Sequence, residues 1–133
     1  MRVERIRYLA RLTQSPARGL DVFETPPDAV FQKVSFDLEF GALGRFEHAM
    51  AEVIPALTGQ GWRLVGCFRS ASGDMHSAMN VWQVPDITST RTAGPRARAS
   101  NPGLAIAVAE LAEIIRTETV ELLAPLAHHP SQS

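Results

Sequence analysis

Apolar and polar side chains alternate without a break from Val34 to Phe40, with Val34, Phe36, Leu38 and Phe40 on one side and Ser35, Asp37 and Glu39 on the other. That period of two predicts a half-buried strand over 34–40. The period then changes. Leu43, Phe46, Met50, Val53, Ile54 and Leu57 trace one stripe of a helix through about residue 58, with Gly59 and Gly61 after it. Pro55 falls inside the stripe and predicts a kink or break near Ala51, because proline lacks a backbone donor and crowds the carbonyl four residues back. A second strand is expected over 62–69, a turn at Ser72-Gly73-Asp74, and a third strand over 76–84, stopped by Pro85.

Residues 85–102 are rich in Thr, Ser, Pro, Gly, Ala and Arg and read as a long loop. Leu104, Val108, Leu111, Ile114 and Ile115 form a second amphipathic stripe, with Asn101 as its expected cap and Pro102 at its first position. A fourth strand is expected over 117–124. The order strand, helix, strand, strand, helix, strand is the ferredoxin-like βαββαβ pattern, an α+β fold with both helices on one face of an antiparallel sheet. Residues 34–126 would form this core, and residues 1–30 an N-terminal arm or extension whose first twenty residues fit a short helix or a strand. Their five arginines against Glu4 resemble an import presequence in charge, but an arm is the better reading.

Helices on one face leave the other to be accounted for. If the apolar series faces the helices, that face receives Val34, Phe36, Leu38, Phe40, Trp62, Leu64, Gly66, Phe68, Met79, Val81, Val120 and Leu122. The opposite face then carries Asp37, Glu39, Arg63, Val65, Cys67, Arg69, His76, Asn80, Trp82, Thr119 and Glu121. Several charges sit poorly in a dry interface and a tryptophan sits poorly in open solvent, so this mixture suits a wet cavity closed by a second subunit. One residue of slip in any strand would invert its assignment.

The chain is 133 residues long, 45% apolar and 20% charged, with a net charge of −1. That suits one globular domain without disulfide or metal staples and supplies no basic field for nucleic acid. The single cysteine, Cys67, cannot form an intrachain disulfide, and no apolar run reaches the length of a membrane span, so a soluble cytoplasmic protein is expected.

The residues also resemble a known family. The strand running into Gly41 and a proline-containing helix, the segment Gly61-Trp62-Arg-Leu-Val-Gly66 and the run Met79-Asn80-Val81-Trp82 are similar to features of the dimeric α+β-barrel superfamily, most of all its NIPSNAP-like proteins. Residues 117–126 are similar to its final strand. The resemblance implies a homodimer whose two sheets pack into a barrel around a cavity. Its relatives include small monooxygenases, haem-degrading enzymes and polyketide cyclases. Asn80 stands where the family motif has a histidine, which counts against an acid–base role there.

The candidate ligand contacts are Asp37, Arg63, Arg69, His76, Asn80 and Trp82. A histidine, an amide and an indole in one row could orient an aromatic or quinone-like ligand, and His76 is the one candidate for catalysis, although the stronger reading is that it merely ends the hairpin. Asp37 and Glu39 could hold a hard cation, but nothing nearby supplies the other ligands, so ion pairs with Arg63 or Arg69 are the stronger reading. His48 reads as surface and His128-His129 as tail. Cys67 reads as a buried structural thiol, and Arg91, Arg96 and Arg98 as solubilising charges. No phosphate loop, zinc spacing or nucleophile elbow is present, so no metal and no cofactor is expected. Two functions fit: a small-molecule-binding homodimer, monooxygenase-like or cyclase-like without a cofactor, acting on a hydrophobic or aromatic metabolite; or a non-catalytic dimeric interaction module.

Overall fold

The computed structural model describes residues 29–73 and 75–126. The expectations for the N-terminal arm and for His128-His129 lie outside these residues. Strand β1 spans Val30–Leu38, helix α1 Leu43–Thr58, β2 Arg63–Arg69 and β3 Ser77–Val84; α2 then spans Ser89–Ser100, α3 Leu104–Ile114 and β4 Ile115–Leu123. The four strands form one antiparallel sheet in the order β2-β3-β1-β4, the βαββαβ topology with one helix added between β3 and α3.

The core lies between one face of the sheet and α1 with α3. Val34, Phe36 and Leu38 of β1 meet Ala42, Phe46 and Met50 from α1 and its approach, and Ile114 from the end of α3. Phe36 and Phe46 pack edge to face with ring centroids 4.9 Å apart. Helix α1 turns its small residues to α3, where Ala49 and Ala56 join Leu104 and Ala107. Arg45 crosses from α1 to α3 and bonds both Glu110 and Glu113 on the solvent side.

Several boundaries depart from expectation. Strand β1 starts at Val30, four residues early, and ends at Leu38; Phe40 swings out to 85% exposure. The chain reverses at Gly41, whose φ of 76° favours glycine. Helix α1 runs unbroken through Pro55, which lies in its last turn and removes only the bond that Ala51 would have accepted. The segment expected as a loop over 85–102 is mostly α2. Asp86 anchors its start, accepting from the Ser89 N–H at 2.8 Å, and Ala93 and Ala97 bury completely enough to hold a helix of otherwise loop-like composition. Asn101 caps nothing at the start of α3; its side chain donates back to the Ala97 carbonyl of α2.

Register corrects the assignment of faces. Val34 lies opposite Asn80, Gln32 opposite Trp82 and Phe36 opposite Ala78, so Asn80 and Trp82 share the helix face with the core. Met79 and Val81 take the far face, where Val81 clusters with Phe31 and Val65. Strand β2 carries a bulge: Leu64 lies opposite Trp82 but Gly66 opposite Val81, leaving Val65 as the extra residue. Beyond it the alternation inverts, so Cys67 and Arg69 lie opposite Asn80 and Ala78 on the helix face, and Phe68 leaves it. The β4 assignment holds, with Val120 opposite Val34 and Thr119 opposite Ser35.

Candidate functional site

A cleft of about 590 Å³ opens between the helix face of the sheet and the three helices. Gln32, Val34 and Phe36 of β1 and Asn80 and Trp82 of β3 form its floor, Met50, Val53 and Leu57 of α1 one wall, and Val108 and Leu111 of α3 another. Trp62, just before β2, closes one end, and its ring meets Trp82 edge on at 5.6 Å between centroids. The size suits a drug-sized ligand, and most of the lining is apolar. Arg116 and Glu118 are the charged residues among its described lining, and both are exposed at the start of β4.

The polar groups inside are neutral and short of partners. Asn80 is 2% exposed; its amide nitrogen meets Met50 Sδ at 3.6 Å, and its Oδ1 has no hydrogen-bond donor among the described residues. The Trp62 Nε1–H, equally shielded from water, has no acceptor among them either. Each such orphan costs about 1–3 kcal/mol in a folded protein. Gln32 is 8% exposed and lines the same cleft, and its amide makes no hydrogen bond to another described residue.

The structure divides the residues expected at one site. Asn80 and Trp82 are in the cleft. Asp37 and Arg69 border a separate recess of about 300 Å³, beside Lys33, Ser35, Ser77, Thr117 and Thr119. Arg63 donates to the Gln83 side chain at 2.9 Å, and partial burial holds its pKa below the ordinary value. His76 precedes β3 and lies 4.8 Å from the exposed Phe40 ring, remote from the cleft lining. The ion pairs expected between Asp37 or Glu39 and Arg63 or Arg69 are replaced by Glu39 with Arg116 at 3.9 Å and by Lys33 with Glu121 at 2.8 Å. Cys67 is exposed rather than buried. Its thiol is pushed up by desolvation and then by Glu47. No group of three or more His, Cys, Asp or Glu side chains suited to a metal occurs among the described residues.

Gln32, Trp62 and Met50 were missed. Carrying the alternation of β1 back through Gln32 would have placed that amide beside Val34 and Phe36. The orphaned state of Trp62 has no sequence signal, since it depends on what surrounds the ring.

The sequence matches no protein-family profile and no curated protein. The fold, however, is shared with solved structures. An uncharacterized NIPSNAP domain protein from Burkholderia xenovorans aligns at 20% identity and a TM-score of 0.64, covering 76% of this chain and 98% of the other. A NIPSNAP family protein of unknown function from Agrobacterium tumefaciens aligns at 16% identity and a TM-score of 0.69, covering 82% and 98%. SnoaB, a cofactor-independent oxygenase from Streptomyces nogalater, aligns at 23% identity and a TM-score of 0.55, covering 77% and 98%. The chain therefore has the α+β fold found in NIPSNAP proteins and in SnoaB.

Proposed function

We propose that this protein binds a hydrophobic aromatic metabolite in the cleft above Asn80 and Trp82 and oxygenates it without a cofactor. The observation that carries the reading is the pairing of an apolar cleft with two buried orphans, the Asn80 acceptor and the Trp62 donor. Such groups are costly in a resting fold and become useful when a ligand supplies their partners. The likeness to SnoaB, described as a cofactor-independent oxygenase, supports the choice of chemistry.

Without a cofactor, the ligand itself must reduce oxygen. An aromatic compound with an acidified ring methylene can do so: after loss of a proton, its carbanion gives electrons to O2. The CH2 becomes C=O with one oxygen atom, and the other leaves as water. Trp62 N–H is the donor available to an anionic ligand oxygen, and Glu118 is the carboxylate available at the rim to take the proton. The protein acts as a homodimer in this proposal, with the sheet face that bears Thr117, Thr119 and Glu121 toward the second copy; a stable monomer at micromolar concentration would remove that part.

The test is a panel of planar aromatic ketones with activated methylenes, followed by quenching of tryptophan fluorescence and by oxygen uptake. Saturable quenching with uptake that falls at least tenfold in Glu118→Gln is expected. Absence of quenching and of thermal stabilisation across the panel would refute the binding site, and quenching without uptake would refute the oxygenase assignment.

A further inference from the structure

Resting on that cleft, the polar pattern of its floor names the ligand more closely: we infer that the ligand is a neutral aromatic lactam, held along its N–H/C=O edge by the side-chain amide of Gln32. A primary amide offers one acceptor and two donors, and Gln32, a residue only 8% exposed, lines the cleft with its side chain making no hydrogen bond to another described residue and its amide atoms still within reach of water there. A glutamine in such a position is matched by an edge that presents an acceptor and a donor side by side. A cyclic amide has that edge.

The neighbouring groups favour the same class. Gln32 lies opposite Trp82, and Val34, two residues along β1, lies opposite Asn80, so both amides rise from adjacent strands on one face of the sheet. Trp82, opposite Gln32 and two residues from Asn80 on β3, lines the cleft beside both amides. Neither amide is ionic, and the charged lining residues Arg116 and Glu118 are exposed, so a ligand that arrives ionised would lose its hydration without an opposite charge in the interior, whereas the anion of the proposed reaction forms only after binding. A hydroxy-ketone whose hydroxyl already bonds its own carbonyl would leave the Gln32 acceptor unfilled. A simple ketone leaves it unfilled too. The Gln32 acceptor selects for the lactam N–H; the Trp62 Nε1–H is a second donor for the ligand carbonyl oxygen, and the Asn80 Oδ1 would serve a substituent elsewhere on the ring.

Oxindole and 2-indanone test this, because they share ring size and carbonyl position and differ in the lactam N–H. Ligand-observed NMR titration of the full chain is expected to show oxindole binding at least tenfold tighter than 2-indanone. In Gln32→Leu the ratio should fall to about one, both compounds losing the donor to their carbonyl and oxindole alone losing the acceptor for its N–H, and a retained cooperative thermal unfolding transition reports an intact fold. N-methyloxindole should behave as 2-indanone does with either protein. Equal binding of oxindole and 2-indanone to the native chain would overturn the inference and leave the cleft reading standing, as would a preference that survives Gln32→Leu. Failure of all three compounds to bind would overturn both.

Discussion

Replacing Asn80 by leucine should stabilise the fold while abolishing ligand binding. Asn80 is 2% exposed and its Oδ1 has no partner, so the folded chain carries the desolvation cost of one amide acceptor, about 1–3 kcal/mol. The amide nitrogen offsets little of this, since its contact is a thioether sulfur at 3.6 Å. Leucine removes the cost, keeps the number of side-chain heavy atoms and adds apolar contact with Val34 and Met50, and the cleft beside it has room for the slightly bulkier methyl groups. Subtracting roughly 1 kcal/mol for imperfect packing leaves a net gain of up to about 2 kcal/mol. For a chain of this size that corresponds to a rise in melting temperature of up to about 8 °C. Thermal and urea unfolding followed by circular dichroism would measure it. A loss of more than about 1 kcal/mol would refute the reasoning, because it would mean that Oδ1 is already satisfied in the resting protein.

Other outcomes follow from the same contacts. Phe36→Ala should cost about 3–5 kcal/mol, since it empties the space against Phe46 at the centre of the core, and a urea midpoint close to that of the native chain would contradict the packing. Glu121→Ala strands the Lys33 ammonium, whose side chain is 4% exposed, and should cost about 2 kcal/mol; Lys33→Met should cost less, because the half-exposed Glu121 stays solvated, and the reverse order in urea melts would sink this account. The Glu110 carboxyl is held below its ordinary value chiefly by the hydrogen bond from Arg45, so its contribution is fully present above the unfolded value of about 4.3 and is lost as pH falls through the lower folded value. Arg45→Ala should flatten that part of the acid-unfolding profile, and an unchanged profile would count against it. The Cys67 thiol, raised by partial desolvation and then by Glu47, should react with iodoacetamide at pH 7.5 more slowly than a free cysteine, and Glu47→Gln should speed it.

Much of the architecture was legible because it rests on periodicity. The strand at Val34, the stripe from Leu43 to Leu57 and the stripe from Leu104 to Ile114 each bury a face that the sequence marks out. What could not be read was register. In β3 both faces are largely buried, with Asn80, Trp82 and Val84 on one and Val81 on the other, so alternation carried no polarity and the strand was assigned upside down. In β2 one extra residue, Val65, reversed the rest of the strand. Those two errors moved Asn80 and Trp82 from the cleft to the far face and placed Arg63 and Arg69 together. Helix α2 was hidden for a different reason: its fold comes from Ala93 and Ala97, whose small side chains make no stripe.

The joint between α3 and β4 has a mechanical consequence. Ile114 ends the helix and Ile115 begins the strand, with no residue between them and with Ile114 1% exposed. Leu111 on the wall of the cleft and Glu118 at its rim are therefore parts of one rigid lever with no slack at the elbow. Moving that wall would drag β4 along β1 and strain the Lys33–Glu121 pair. Helix α2 is built differently. It hangs between residues 85–88 and 101–103 and is pinned inward by two alanines. Thr90 and Gly94 on that helix also border the cleft, so displacing α2, which two alanines tie inward, would open that side of the cleft without disturbing the continuous α3–β4 frame.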